Sequence, residues 1–198
     1  MSKITSVAAP KAARHSMTTR TLAGCALLAA MSVVLARFVI PMPAVDQRFS
    51  LEAIPIFIAG MLFGPIPGAL VGFSADLVGC LFSGYGYNPL FCVPPILYGL
   101  SAGLFRPLLL RKTTPLTIGL SFLPPIALGS ILYQSATLAY VYGKGAFLPN
   151  FLVKLSTRSV QFAITFVLDV LVVYLLYKSK VFTAVRLWPA AQKTEDKE

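Results

Sequence analysis

Six apolar stretches alternate with short polar or proline-rich breaks along this chain. Span one covers 21–40 and stops at Pro41, and span two covers 52–64. GPIPG (64–68) predicts a tight turn, because Gly and Pro punctuate helices and no charge intervenes. Span three covers 68–83, SGYGYNP (83–89) is a loop, and span four covers 90–110 with Pro94-Pro95 inside it. Arg111, Lys112 and Pro115 mark the next turn. Span five covers 116–142 with Pro124-Pro125, YGKGAFLP (142–149) is a loop, and span six covers 150–177. A helix needs about 20 apolar residues to cross about 30 Å of hydrocarbon. The pattern therefore predicts an all-α integral membrane protein, a six-transmembrane-helix bundle over 21–178. A basic, disordered arm (1–20) and a charged tail (179–198) flank it.

The polar residues inside the spans carry the next layer of information. In span six, Lys154, Arg158, Gln161, Thr165 and Asp169 recur at helical spacing, which puts them on one face opposite Phe, Val and Leu. A polar stripe on a membrane helix turns inward, to protein or to a watery cavity. Span five adds Ser130, Gln134 and Thr137 at similar spacing. Span three carries one carboxylate, Asp76, in GALVGFSADLVG (68–79), with no opposite charge within twenty residues on either side. An intramembrane charge is costly, so Asp76 is expected to be paired, holding an arginine or a loop amide, with ligand contact as its second role. Spans two and three are short and both proline pairs fall within spans. Broken helices are tolerated where backbone lines a cavity, although ordinary kinking would explain the prolines as well. Tyr85, Tyr87, Asn88 and Phe91 crowd the loop after span three. They suit either an interfacial belt or a lid over a flat ring.

Composition agrees with the pattern. The chain is 57% hydrophobic and 12% charged, with mean hydropathy +0.77. A soluble domain is about 25% charged. The net charge of +10 is a topology signal rather than a nucleic-acid footprint. Twelve of the seventeen Lys and Arg residues lie in the N-terminal arm, around the four–five turn and in the tail. The positive-inside rule then places both termini in the cytoplasm. Arg37, Arg48, Lys144, Lys154 and Arg158 remain on the outer side. Arg37, Arg48 and Arg158 would form a guanidinium cluster suited to gripping a carboxylate-bearing ligand bidentately.

Several function classes are excluded. Cys25, Cys80 and Cys92 show no metal-ligand spacing. Leu22-Ala23-Gly24-Cys25 imitates a lipoprotein cleavage box, but its apolar run follows the cysteine instead of preceding it. His15, the single histidine, is in the basic arm. No nucleophile–base pair and no phosphate-binding loop is present, so the chain is not expected to be an enzyme, to hold a metal or cofactor, or to bind ATP itself. If transport is powered, the energy comes from a partner.

Four segments in order then resemble one family. They are CALLAAMSVVLARF (25–38), RFSLEAIPIFIAGMLFGPIPGALVGFSADLVGCLF (48–82), YGKGAFLP (142–149) and KLSTRSVQF (154–162). Together they resemble the substrate-binding S components of energy-coupling factor vitamin transporters, in the folate-type branch, over about 20–178. The resemblance implies a six-helix bundle that captures a vitamin at the outer face. It would deliver the vitamin through a transmembrane coupling subunit carrying two ATPases. It also implies that Ala26 and Ala30 match an AxxxA docking motif for that subunit, and that Arg37, Arg48 and Arg158 match basic positions of the family. The expected ligand-binding set is Arg37, Arg48, Asp76, Tyr87, Asn88, Gln134, Arg158 and Gln161. Departures from the folate branch are visible: YNPLFCVPP (87–95) replaces a segment close to FPGFT. Gln161 stands where a lysine is usual, and Gln134 and Thr137 replace an Asn–Trp pair. Folate is the expected ligand, with another vitamin or heterocyclic precursor as the alternative. A self-sufficient secondary carrier, kept open by Asp76 and Asp169, is the other class.

Overall fold

The computed structural model describes residues 19–37, 40–41, 48–49, 51–83, 87–111, 113–142 and 147–179. Helix α1 (Thr19–Leu35) is followed by β1 (Ile40–Pro41) and β2 (Arg48–Phe49). These pair antiparallel, with Ile40 opposite Phe49 and Pro41 opposite Arg48. Then come α2 (Ala53–Phe63), α3 (Pro65–Ser83), a 3-10 turn (Pro89–Cys92), α4 (Val93–Leu104) and α5 (Arg106–Arg111). Next is α6 (Pro115–Pro124), which widens into π turns over Pro125–Tyr133 and resumes as α7 (Gln134–Tyr142). The last helix is α8 (Phe147–Lys178). The described fold is all-helical apart from the two-residue strands. Among the described residues, three stretches are long and apolar enough to cross a membrane: Pro65–Phe82, Pro115–Val141 and Phe147–Lys178.

Proline chemistry sets several boundaries that differ from the hydropathy pattern. α1 stops at Leu35 instead of running to 40, and Ile40 is extended, as a residue before proline prefers to be. GPIPG is not a turn of several residues. Gly64 alone separates α2 from α3, with φ of +103° and its N–H on the Gly60 carbonyl at 2.9 Å. Pro65 is already the first residue of α3, where its missing N–H costs nothing. Pro94 and Pro95 open α4 for the same reason, so they do not interrupt a helix. Pro124-Pro125 does perturb the rod: without two N–H donors the ladder shifts to wider π turns, which then run to Tyr133.

The core forms around α2, whose sequence AIPIFIAGMLF is apolar on every side and is buried from Ile54 to Leu62. Phe57 of α2 stacks on Phe122 of α6 at 3.8 Å between centroids, and Tyr98 of α4 meets Phe122 edge-on at 6.1 Å. Helices α2, α3 and α4 approach backbone to backbone at glycines. A Cβ on Gly72 would overlap the Pro95 carbonyl, and one on Gly99 would overlap the Gly68 carbonyl. Small residues permit such contact between membrane helices, which is driven by packing rather than by water. The outer faces carry exposed Leu, Val and Phe, among them Leu81, Phe82, Leu116, Val160 and Val167. A lipid-facing surface requires this, because hydrocarbon offers polar groups no hydrogen bonds.

Candidate functional site

A cavity of about 310 Å³ opens between α2, α3, α4, the π turns, α7 and α8. This is at the lower end of the range for small-ligand sites. One wall is the predicted polar stripe of α8, contributing Arg158, Gln161, Phe162, Thr165 and Asp169. Gln161, Thr165 and Asp169 are buried, while Val160, Val167, Leu168 and Leu171 on the other faces are exposed. Arg158 donates from Nη1 to the Ser130 carbonyl at 3.2 Å, and its guanidinium lies 5.6 Å from the Phe162 ring centroid. A guanidinium has five N–H donors, so Arg158 keeps capacity for a ligand in the cavity. Also lining the cavity, the Tyr98 hydroxyl and Ser130 Oγ share a hydrogen bond of 3.1 Å. Asp169 is 0% exposed, and neither carboxylate oxygen has a hydrogen-bond partner among the described residues.

Asp76 lines this cavity and also a neighbouring recess of about 170 Å³. Its partner is neither an arginine nor a loop amide: the Cys92 thiol donates to Asp76 Oδ2 at 2.7 Å. Because that thiol hydrogen is committed, the 3.1 Å contact between Tyr87 and Cys92 is donated by the phenol. The bond holds the Tyr87 hydroxyl in its neutral form, pushing it up to about 12. Arg37 lines the smaller recess, not the main cavity, and donates from Nη2 to the Gly79 carbonyl at 2.7 Å. Ser32 Oγ donates to the Glu52 carbonyl at 2.8 Å nearby.

The structure thus brings together Asp76, Gln134, Arg158 and Gln161 of the expected ligand set. Tyr87 and Asn88 are not among the lining residues. Tyr87 reaches Cys92, and the Asn88 side chain accepts from the Leu90 N–H to cap the 3-10 turn. Arg48 has its backbone in β2, and its side chain lies outside the described residues, as do Tyr85 and Lys144. Of the expected guanidinium cluster, Arg158 lines the main cavity and Arg37 the adjoining recess, which shares Glu52, Ile56 and Asp76 with it. Tyr98 and Glu52 also line the cavity, and neither stands among the residues expected from the sequence to bind ligand. The helical offset of Phe91, Pro94, Pro95 and Tyr98 was the available signal, since all four line the cavity.

Ala26 and Ala30 lie elsewhere, on an open apolar groove of about 670 Å³ between α1 and α3. Leu22, Leu70, Phe73 and Phe82 also line it. The groove is the larger space, but it lacks the converging polar groups that orient a small ligand.

Residues 16–179 match the family described as "ECF-type riboflavin transporter, S component". Among solved structures, the chain is similar to one described as "Crystal structure of FolT bound with folic acid". That likeness has a TM-score of 0.67 and 29% identity, covering 80% of this chain and 93% of the other. A curated relative, "Uncharacterized protein MG098 homolog" of Mycoplasma pneumoniae (strain ATCC 29342 / M129 / Subtype 1), is 38% identical over 63 residues. Those residues are 32% of this chain, which spans only 13% of that relative's length.

Proposed function

This chain belongs to the family of S components of ECF-type riboflavin transporters, and from that premise we infer that it binds folate for import. It is a membrane transport subunit and not an enzyme. The observation that carries the folate reading is the Arg158-bearing cavity in a chain that is 29% identical to a FolT holding folic acid. In this reading the guanidinium grips a carboxylate of the glutamate tail, while Phe91, Tyr98 and Phe162 offer apolar faces to the ring. The finer topology follows the charge pattern. The helices make six crossings over 21–178, both termini are cytoplasmic, and the basic flanks 1–20 and 179–198 face anionic lipid in a bacterial plasma membrane. The Ala26–Ala30 groove docks a transmembrane coupling subunit, and two ATPase subunits of that ECF module drive release inward.

Titration of the purified chain in detergent tests this. Folic acid should bind tightly, and the chain alone should not hydrolyse ATP. The family description names riboflavin, which supports a second reading, so riboflavin should be titrated in parallel. Binding of riboflavin and not of folic acid would reverse the ligand assignment. Substrate accumulation in vesicles holding this chain alone, driven by an ion gradient, would support the carrier class instead.

A further inference from the structure

A fully buried carboxylate with no partner needs a reason, and Asp169 has none among the described residues. Its own helix supplies no donor. Thr165, one turn earlier, turns its hydroxyl back to the Gln161 carbonyl at 3.0 Å. Arg158 lies about three helical turns away along the axis. It is engaged with Ser130 and Phe162. Arg158 is the one guanidinium lining the cavity among the described residues, and Asp169 lines the same cavity. A ligand that offered only anionic groups would satisfy Arg158 and leave Asp169 stranded. A buried charge is tolerated when it is paired and hydrogen-bonded, and a ligand in this cavity can bring the donors that the described residues do not.

We propose that Asp169 reads the donor edge of the ligand, accepting two parallel N–H bonds from an exocyclic amine and the ring N–H beside it. The chemical class is a 2-amino-4-oxo pyrimidine or pteridine, which enters ring-first and leaves its anionic end at Arg158. A carboxylate matches such an edge as it matches a guanidinium, in a bidentate and charge-assisted pair. This inference rests on the cavity being the vitamin site of an S component, and it adds which end of the ligand lies deepest.

The test is calorimetric titration of the full chain in detergent, wild type and Asp169→Asn. The probes are folic acid, 2-deaminofolic acid, thiamin and riboflavin. Wild type should prefer folic acid over its deamino analogue by about tenfold or more, the expectation for charge-assisted hydrogen bonds. Asp169→Asn should weaken folic acid by about 100-fold and erase that preference. The unliganded variant should melt no lower than wild type, because no hydrogen bond to a described residue is lost. A preference that survives Asp169→Asn, or equal losses for both folates, overturns the inference and leaves the folate reading standing. A variant that loses its unliganded fold marks a structural role and also overturns it. If wild type takes thiamin instead, the folate reading fails and the inference fails with it, because the ring nitrogen beside thiamin's amine carries no hydrogen. Binding of riboflavin alone, or of none of the four probes, overturns both.

Discussion

The thiol of Cys92 donates to the carboxylate of Asp76 across 2.7 Å, joining α3 to the turn that precedes α4. Tyr87 donates to the same sulfur, so a carboxylate, a thiol and a phenol form one chain of bonds beside the cavity. This is how a lone acid in an apolar helix finds its partner.

Removing the thiol should loosen that joint. Cys92→Ala leaves Asp76 without its donor and should cost about 1–3 kcal/mol, the penalty for an unsatisfied buried group. Cys92→Ser restores an O–H donor and should recover most of the loss. Thermal unfolding of both variants in detergent checks the order; equal losses would mean that packing, not the hydrogen bond, matters at Cys92.

Arg158 should dominate ligand affinity among the basic residues. Arg158→Ala removes charge-assisted hydrogen bonds worth about 1.5–3 kcal/mol each, so folic acid should bind at least tenfold more weakly. Lys144→Ala, in the YGKGAFLP segment, should change affinity by less than about twofold. Isothermal titration decides, and indistinguishable losses would place the ligand outside this cavity.

Two glycines on α3 should behave oppositely. A Cβ at Gly72 would run into the Pro95 carbonyl of α4, whereas one at Gly79 meets nothing within 4 Å. Gly72→Ala should cost about 1–3 kcal/mol or more through overpacking, and Gly79→Ala should be neutral or slightly stabilising. Detergent-resistant folding, followed by circular dichroism on heating, measures both.

The α1–α3 groove should matter to assembly and not to capture. Ala30→Phe fills a surface that no described helix of this chain covers. Folic acid affinity should therefore hold within about twofold. Co-purification with the coupling subunit should fall sharply, because close helix approach needs small residues. Weakened ligand binding with intact assembly would reverse the assignment of the two surfaces.

Much of this protein was legible from local sequence alone. The helical elements follow from apolar runs, and the inward face of α8 follows from Arg158, Gln161, Thr165 and Asp169 recurring at helical spacing. Both signals are short-range: a helix places neighbours four residues apart on one face whatever surrounds it. The roles of single polar groups were not legible in this way. Arg37 reaches the Gly79 carbonyl, 42 residues away in sequence, a partner that no local pattern indicates. Asp76 looked like the partner of an arginine or a loop amide until packing brought Cys92 to it, and the same packing brought Ser130 within hydrogen-bond reach of Tyr98. Periodicity determined which faces turn inward, because it acts within one helix. Only the tertiary structure decided which inward groups meet, because the glycine contacts among α2, α3 and α4 set where those helices lie against each other. The same packing left Asp169 facing a cavity with no donor from the described residues.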